Sequence, residues 1–484
     1  MNNSAAQDSL SKFSYFPPSQ LPFENVFLFS KLKYLSSLHT IELSFQTNLL
    51  DTLYKNLPGL KNLTHFKMSI PFTNSKCMGE LLHSLQRLNK LTSLLLNFQS
   101  KCHLGPGELN DLPRFLKCLK QIRSLELIFS KLKGLSDEDL VSITSVFPKR
   151  PLLSQVSLHF STGKTIKGST LVRIFHNLRN VSDITLILHD CSVIQEKGFC
   201  ALAKGLKLLN FSLVQNLGIH LPHNLDSESF LRVSDALKKF TSLYSLHLNF
   251  LGCFPLSNQG MEFICSALES LSSLHYLSLT IPFSNTGDLI IGNIASVLKS
   301  LQNLIQLKLN FPHDMKTSHD QICQLFTNIG ILASLQSLEI SLMNPKELSD
   351  DCLQVLSQSL RKLLLLKELA LSFNSASFIT VIGVGAIADS LKELQKLTFL
   401  GLAIQYSQKL NEEAIEKITE ALCWLPLLYS TSFAFRGCPG LKKERSLARL
   451  WNALREMKCI QKVSLNGFTI EVNERKIVRK IELW

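Results

Sequence analysis

The sequence predicts an α/β solenoid with parallel strands on a concave face and helices on a convex face. Three observations predict it: a short apolar motif recurs along nearly the whole chain, its copies are evenly spaced, and each copy joins a strand-like half to a helix-like half. Units of this kind stack so that each one packs only on its neighbours. A solenoid therefore accommodates 484 residues, which is more than one compact hydrophobic core usually serves.

The recurring motif is Leu-x-x-Leu-x-Leu-x-Phe, and its clearest copies begin at Leu243, Leu304 and Leu366. We use the second apolar residue of the motif as the marker of each repeat. The fifteen markers are Ile41, Phe66, Leu94, Leu125, Val156, Ile184, Leu217, Leu246, Leu277, Leu307, Leu338, Leu369, Leu400, Thr431 and Val463. The last eight intervals between markers are all 29 to 32 residues long. Such even spacing indicates one repeated structural unit.

The first half of each repeat predicts a β-strand. Around the marker Leu246, the apolar residues Leu246, Leu248 and Phe250 alternate with His247 and Asn249. A period of two residues places alternate side chains on opposite faces of a strand. We therefore expect one face of each strand to be buried and the other to line the concave side.

The second half of each repeat predicts an amphipathic helix. Its apolar residues recur at helical spacing, which places them along one stripe; two such sets are Met261, Ile264, Leu268 and Leu271, and Val384, Ile387, Leu391 and Leu394. Ser136–Asp137 and Ser349–Asp350 lie where helix N-caps are expected. Because a helix is wider than a strand, stacking such units bends the array with the strands on the inside.

The strand motif followed by a full helix resembles the ribonuclease-inhibitor-like leucine-rich-repeat family over about residues 32 to 484. The resemblance implies a horseshoe-shaped solenoid whose repeat surface binds another macromolecule and carries no catalytic site. The chain departs from the family at one position. The family usually places Asn or Cys three residues after the last strand Leu, where the side chain bonds the turns along a ladder, and here only Asn374 does so.

The residue one place earlier is the more regular feature, since it is apolar in fourteen of the fifteen copies. It is Phe in eight copies, at Phe45, Phe98, Phe129, Phe160, Phe250, Phe311, Phe373 and Phe435. Parity places these residues on the same strand face as the markers. We interpret them as a buried spine, and the alternative interpretation is a functional aromatic stripe.

The two ends of the chain depart from the repeat. We divide the chain into a non-repeat N-terminal segment with an aromatic cap (1–31), the repeat solenoid (32–468) and a basic C-terminal cap (469–484). The segment 441–484 has eleven Lys or Arg and five Asp or Glu, almost half of the excess charge of +13. The string Leu21-Pro22-Phe23-Glu24 resembles the opening of an F-box, but the first repeat begins too early for the helices of that domain.

Cysteine spacing and hydropathy predict an intracellular protein, cytoplasmic rather than nuclear. The first ten residues lack the basic and apolar regions of a signal peptide, and the longest apolar run, from Phe378 to Ala388, is too short to span a bilayer. No two of the twelve cysteines are closer than nine residues, which excludes a CxxC motif. We expect reduced thiols, several of them buried as small hydrophobic residues.

No sequence motif predicts catalysis, a cofactor or a metal site. The chain lacks a phosphate-binding loop, a nucleophile elbow, a zinc-protease motif and the kinase motif set. The histidines at outward strand positions, such as His159, His220 and His247, are whole repeats apart and lack metal-ligand spacing. We therefore expect a protein that is not an enzyme.

The candidate partner-binding residues form two sets. The concave set is His159, His247, Asn249, Lys308, Asn310 and Glu339, and the basic set is Lys442, Lys443, Arg445, Arg475, Lys476, Arg479 and Lys480. The predicted concave face is mostly small and neutral. It shows neither the Trp, Tyr and Arg anchors of a tight protein interface nor the basic and aromatic stripe of a nucleic-acid surface. The basic end and the helical flank are therefore alternative docking sites.

The predicted function is a protein–protein interaction scaffold or adaptor. The first alternative is binding of nucleic acid or of an acidic partner by the basic end. The second is a GTPase-activating role, as some proteins with this repeat type have, although the basic tail is unlike the acidic tail usual there. The third is a ubiquitin-ligase adaptor, and the fourth is a sensing array from a larger receptor architecture. All four stay open because a fold does not determine a function.

Overall fold

Strands and helices alternate along most of the chain. The computed structural model describes residues 12–15, 35, 37–44, 50–70, 75–98, 109–130, 135–161, 166–189, 197–220, 227–251, 253, 257–282, 287–312, 317–439, 441, 444–457, 459–466, 468–473 and 476–480. The chain divides into two compact units, Met1–Leu225 and Asp226–Trp484, here called the first and the second unit.

The first unit is a parallel sheet whose strands follow chain order. The strands described are β1 Lys12–Tyr15, β2 Thr40–Ser44, β3 His65–Ile70, β4 Ser93–Phe98, β5 Ser124–Ser130, β6 Gln155–Ser161, β7 Asp183–His189 and β8 Asn216–His220. The helices are α1 Leu50–Asn56, α2 Ser75–Gln86, α3 Asp111–Leu116, α4 Asp137–Thr144, α5 Gly168–Asn177 and α6 Lys197–Leu206, with 3-10 turns at Leu57–Gly59 and Phe147–Lys149. Each strand pairs in parallel with the next one along the chain.

The second unit repeats this arrangement and ends in a hairpin. Its helices are α7 Ser227–Leu237, α8 Asn258–Glu269, α9 Gly287–Leu298, α10 His319–Ile329, α11 Asp350–Leu360, α12 Val381–Leu391, α13 Glu412–Leu422 and α14 Glu444–Glu456. Its strands are β9 Ser245–Asn249, β10 Tyr276–Thr280, β11 Gln306–Phe311, β12 Ser337–Met343, β13 Glu368–Asn374, β14 Phe399–Ala403, β15 Ser430–Ala434, β16 Lys462–Leu465, β17 Phe468–Asn473 and β18 Lys476–Lys480. Strands β9 to β16 are parallel, whereas β17 and β18 pair antiparallel.

The marker residues lie opposite one another on neighbouring strands. Ile41 pairs with Phe66 in the first unit, and Leu246 with Leu277 in the second. The same pairing holds between all consecutive markers within each unit. Because a slip of one residue would turn every apolar side chain to the other face, this register confirms the predicted repeat and the α/β leucine-rich-repeat solenoid fold in each unit.

The Phe residues that end the strands are part of the core. Phe98, Phe129 and Phe160 are at most 1% exposed. Their rings stack from strand to strand, with centroids 5.2 and 5.9 Å apart. The buried spine is thereby confirmed, because Phe250, Phe311, Phe373 and Phe435 are buried as well; Phe45 lies outside the described residues. These rings are therefore not an exposed aromatic stripe.

The two predicted helix caps differ in what they do. Ser136 caps α4 through a reciprocal pair of bonds with Asp139, in which Ser136 Oγ accepts from the Asp139 N–H at 3.1 Å. Ser349 is the N-cap residue of α11 but makes no capping side-chain bond. Its neighbour Asp350 instead caps the following helix, α12, by accepting hydrogen bonds from the N–H groups of Thr380 (2.8 Å) and Gly383 (3.0 Å).

A backbone ladder takes the place of the family's Asn ladder in the second unit. The N–H groups of Asn344, Ser375 and Tyr406 each donate to a carbonyl in the turn of the next repeat, at 2.7 to 2.8 Å. These residues adopt φ values of 48° to 61°, and Gly437 at the same repeat position has φ 71°. The left-handed conformation thus turns each N–H toward the neighbouring repeat, so an Asn side chain is not needed in every copy.

The ends of the chain add strands to the sheet. Residues Lys12–Tyr15 pair in parallel with β2, a strand that the sequence did not predict. Most of the proposed aromatic cap, from residue 16 to residue 34, lies outside the described residues. At the other end, β18 belongs to an antiparallel hairpin with β17. The domain boundaries after residues 31 and 468 stay predictions. Within the described part of the chain, no helix has the length and hydropathy that crossing a membrane would require.

Candidate functional site

Five of the six concave residues come together on one face of the second unit. His247, Lys308 and Glu339 occupy the same register position on β9, β11 and β12, with Ser278 between them on β10. We call these four residues the polar row. Lys308 Nζ lies 2.8 Å from Glu339 Oε1, and Asn249 and Asn310 lie two residues further along their strands. The half-buried row is a polar surface.

The sixth concave residue, His159, lies on β6 in the first unit. Its Nε2 lies 2.8 Å from Ser157 Oγ and 3.5 Å from Glu126 Oε1. Burial raises the pKa of Glu126, and the charge of Lys67 partly offsets that rise. His159 therefore belongs to a polar cluster of its own.

His247 is held in the neutral form. Burial of the ring lowers its pKa, and the positive charge of Lys308 lowers that pKa further. Since an unperturbed imidazole titrates near pH 6.5, the ring is uncharged at neutral pH. It therefore offers a partner a hydrogen bond rather than a positive charge.

The substitution Lys308→Met is expected to raise the pKa of His247, because it removes the positive charge that helps to lower this pKa. The pKa should stay below that of an unperturbed His, since burial is the larger cause. An NMR pH titration of the imidazole signals, assigned with His247→Gln, measures the change. An unchanged or lower pKa would show that Lys308 does not act on the ring.

The same shift predicts the pH dependence of stability. Because the pKa of His247 is lower in the folded protein, the unfolded chain binds a proton more readily. The neutral ring therefore contributes to the stability of the fold above about pH 6.5. This contribution is lost as the pH falls through the pKa of His247 in the folded protein. The free energy of unfolding should therefore decrease on acidification over this range, and less steeply in His247→Gln.

The exposed strand faces of the two units carry no basic stripe among the described residues of β1 to β16. The outward positions on strands β1 to β16 contain four lysines and five acidic residues, namely Lys12, Lys67, Lys308, Lys462, Glu42, Glu126, Asp183, Glu339 and Glu368. Nucleic-acid surfaces need clustered positive charge. These positions therefore lack the charge pattern of a nucleic-acid surface.

The basic C-terminal set stays a prediction. Lys442, Lys443 and Arg475 lie outside the described residues. Arg445 is part of α14, and the remaining three, Lys476, Arg479 and Lys480, are part of β18.

A surface that the sequence analysis missed lies on the turns that lead from a helix into the next strand. Six large apolar residues there are 40% to 59% exposed, and we call them the turn edge: Ile331, Leu364, Leu365, Trp424, Leu427 and Tyr429. They come from the turns before β12, β13 and β15. The turn before β14 has the polar residues Gln395 and Lys396 instead.

Backbone hydrogen bonds align these turns side by side. The Tyr429 N–H donates to the Thr398 carbonyl at 2.8 Å, and the Thr398 N–H donates to the Lys367 carbonyl at 2.7 Å. The Lys367 N–H in turn donates to the Gln336 carbonyl at 2.7 Å. The exposed side chains therefore follow one edge of the second unit.

The sequence held one signal for the turn edge. In the turn before β13, Leu364 and Leu365 face away from the core between the buried Leu363 and Leu366. Apolar residues at those two positions do not contribute to the hydrophobic core. An analysis of strand positions alone does not detect them.

A shallow hollow of about 480 Å³ lies over β14 to β16. Its lining residues include Phe399, Arg436, Lys462 and several Ser residues, but no His, Cys, Asp or Glu. The lining therefore combines positive charge with hydroxyl groups.

The buried thiols are poor nucleophiles. Burial raises the pKa of Cys265 to about 12, and it also raises the pKa of Cys253. The thiolate is the reactive form of cysteine. Both side chains therefore act as small hydrophobic residues, as the sequence analysis expects.

One cluster has the residue types of a metal site, although the sequence analysis predicts none. Ligand atoms of His319, Cys323 and Cys352 all lie within 4.8 Å of one another. Cys323 and Cys352 are 29 residues apart and belong to neighbouring repeats. Spacing along the chain could not reveal that they meet.

Comparison with known proteins finds no matching family model and no matching curated protein. Solved structures do match. A TLR13–ssRNA13 complex is 14% identical with a TM-score of 0.30, and the match covers 90% of this chain and 66% of that one. The chain thus spans just under two thirds of TLR13. The leucine-rich-repeat-containing protein LegL7 from Legionella pneumophila is 18% identical with a TM-score of 0.38, and the match covers 75% of this chain and 97% of LegL7.

The assignment of the fold depends on the repeat itself. Marker residues are in register on parallel strands, and a helix follows each marker strand up to β15. The ribonuclease-inhibitor-like subtype stays a prediction. The repeated strand–turn–helix unit and its register make this chain a leucine-rich-repeat protein.

Proposed function

We propose that the protein is a non-catalytic scaffold that binds a partner protein through the turn edge of its second unit. The observation that carries the proposal is the exposure of six large apolar side chains along one edge, with Trp424 59% exposed. Apolar patches of this kind mark interaction sites on soluble proteins. Trp and Tyr are also the residue types that contribute most to binding at protein interfaces.

The other surfaces support this choice. The polar row is neutral overall, because Lys308 pairs with Glu339 and His247 is uncharged. The lining of the hollow over β14 to β16 contains no His, Cys, Asp or Glu. We further propose an intracellular location, since buried thiols such as Cys265 suit a reducing compartment.

The test replaces two residues of the turn edge in the full-length chain, Trp424→Ser with Leu427→Ser. We expect the pair to weaken binding of the partner by about 30-fold or more, because removing one hot-spot residue costs about 2 kcal/mol. The matched control is Leu152→Ser with Leu213→Ser, two residues that are 39% and 37% exposed in the first unit. Affinity purification with quantitative mass spectrometry identifies the partner, and titration with the purified partner gives the affinity.

Three results decide where the partner binds. Loss of the same partner in the control pair, or its full retention in the turn-edge pair, contradicts the proposal. Loss only in Lys442→Glu with Lys443→Glu, with strong dependence of binding on salt, assigns the partner to the basic end. Circular dichroism should show intact structure in every variant, because exposed substitutions rarely change stability by more than about 0.5 kcal/mol.

A further inference from the structure

We propose that His319, Cys323 and Cys352 form a zinc-binding site between two neighbouring repeats of the second unit. The site joins helix α10 to helix α11. It does not depend on the proposed partner surface.

The three side chains converge because of where they lie on their helices. His319 and Cys323 are four residues apart on α10, so they are neighbours on one side of that helix. Cys352 is the third residue of α11, in the following repeat. Stacking of the two repeats brings the first turn of α11 against the first turns of α10.

The distances are those of a metal coordination shell. The two sulfur atoms lie 3.6 Å apart, and Cys323 Sγ lies 3.8 Å from both ring nitrogens of His319. Zinc bonds of about 2.3 Å to sulfur and about 2.0 Å to nitrogen in a tetrahedron place ligand atoms about 3.5 to 3.8 Å apart. An ion therefore fits among the three atoms with small side-chain rotations.

Polar groups of the protein contact two of the three ligands. Cys352 lies in the first turn of α11, and Ser349 Oγ lies 3.8 Å from its sulfur. His319 Nδ1 lies 3.5 Å from Asp320 Oδ1. A metal-binding His is usually oriented by a hydrogen bond from one ring nitrogen to a carboxylate. Here that nitrogen is Nδ1, so Nε2 is left to bind the ion.

The ligand set selects the ion. Two thiolates and one imidazole suit zinc, whereas magnesium and calcium prefer oxygen ligands. The His319 side chain is 41% exposed, so water can reach the site and occupy the fourth position. Binding replaces the two thiol protons with bonds to the metal and releases these protons to solvent.

The test uses the full-length chain, reduced and freed of metal with a chelator. Titration with cobalt(II) should give the intense visible absorption of a tetrahedral thiolate complex, and zinc should abolish it at one equivalent per chain. Cys323→Ser and His319→Asn should each weaken cobalt binding by about tenfold or more, because each removes a ligand. The matched control is Cys423→Ser, which removes an exposed cysteine elsewhere in the same unit.

Two results would overturn the site. One is equal metal binding in Cys323→Ser and Cys423→Ser, with both variants folded by circular dichroism. The other is a reduced chain that binds no zinc but forms a Cys323–Cys352 cross-linked peptide on oxidation, which would make the pair a disulfide. Both substituted ligands are partly exposed, so loss of folding is not expected to obscure the comparison.

Discussion

Phe129→Ala is expected to lower the free energy of unfolding of the first unit by about 3 to 5 kcal/mol. Phe129 is 1% exposed and lies between the rings of Phe98 and Phe160, so its removal leaves a cavity and ends both stacking contacts. A solenoid has no second core to compensate, because each repeat contacts only its neighbours. Urea denaturation followed by circular dichroism measures the loss.

The control for this prediction is Leu152→Ala, which truncates a residue that is 39% exposed in the same unit. It should change the free energy of unfolding by less than about 1 kcal/mol. A loss below about 1 kcal/mol for Phe129→Ala as well would show that the ring does not lie in the interior.

Asp350→Ala is expected to lower the free energy of unfolding of the second unit by about 2 to 3 kcal/mol. The Asp350 carboxylate accepts bonds from the Thr380 and Gly383 N–H groups and from Thr380 Oγ1 at 2.5 Å. Its removal leaves the N–H groups at the start of α12 without this acceptor. Asp350→Asn should lower the free energy of unfolding by less, since an amide keeps one acceptor oxygen.

Asp351→Ala is the matched control, because Asp351 lies beside Asp350 in the first turn of α11 and is exposed. This substitution should lower the free energy of unfolding by at most about 1 kcal/mol, which is what a carboxylate near a helix N-terminus contributes. Equal losses in Asp350→Ala and Asp351→Ala would show that the bonds to α12 contribute nothing measurable.

Periodicity predicted the parts of the fold that depend on which face of an element is buried. The markers, the Phe spine and the helix stripes all follow from alternation in strands and helical spacing in helices. The residues of the polar row could be predicted for the same reason, because outward positions on neighbouring strands repeat at the marker interval. Their ion pair needed the register of β11 and β12 as well.

The features that the sequence did not predict are contacts between repeats. Asp350 caps a helix that begins about 30 residues later, and Cys323 meets Cys352 across one repeat. Periodicity shows which way a side chain faces but not what it meets. The turn ladder was missed for a different reason, since Asn344, Ser375 and Tyr406 adopt a left-handed conformation that sequence analysis expects mainly of Gly.

Cross-linking across β12 and β13 tests the stacked register most directly. Ser341 and Ser372 lie opposite each other on these strands, which places their Cα atoms about 4.8 Å apart, within reach of a disulfide. We expect Ser341→Cys with Ser372→Cys to give the cross-linked peptide on mild oxidation, measured by mass spectrometry. The staggered pair Ser341→Cys with Ala370→Cys should not, because its Cα atoms are about 8 Å apart. Preferential cross-linking of the staggered pair, or of neither, would contradict the in-register solenoid.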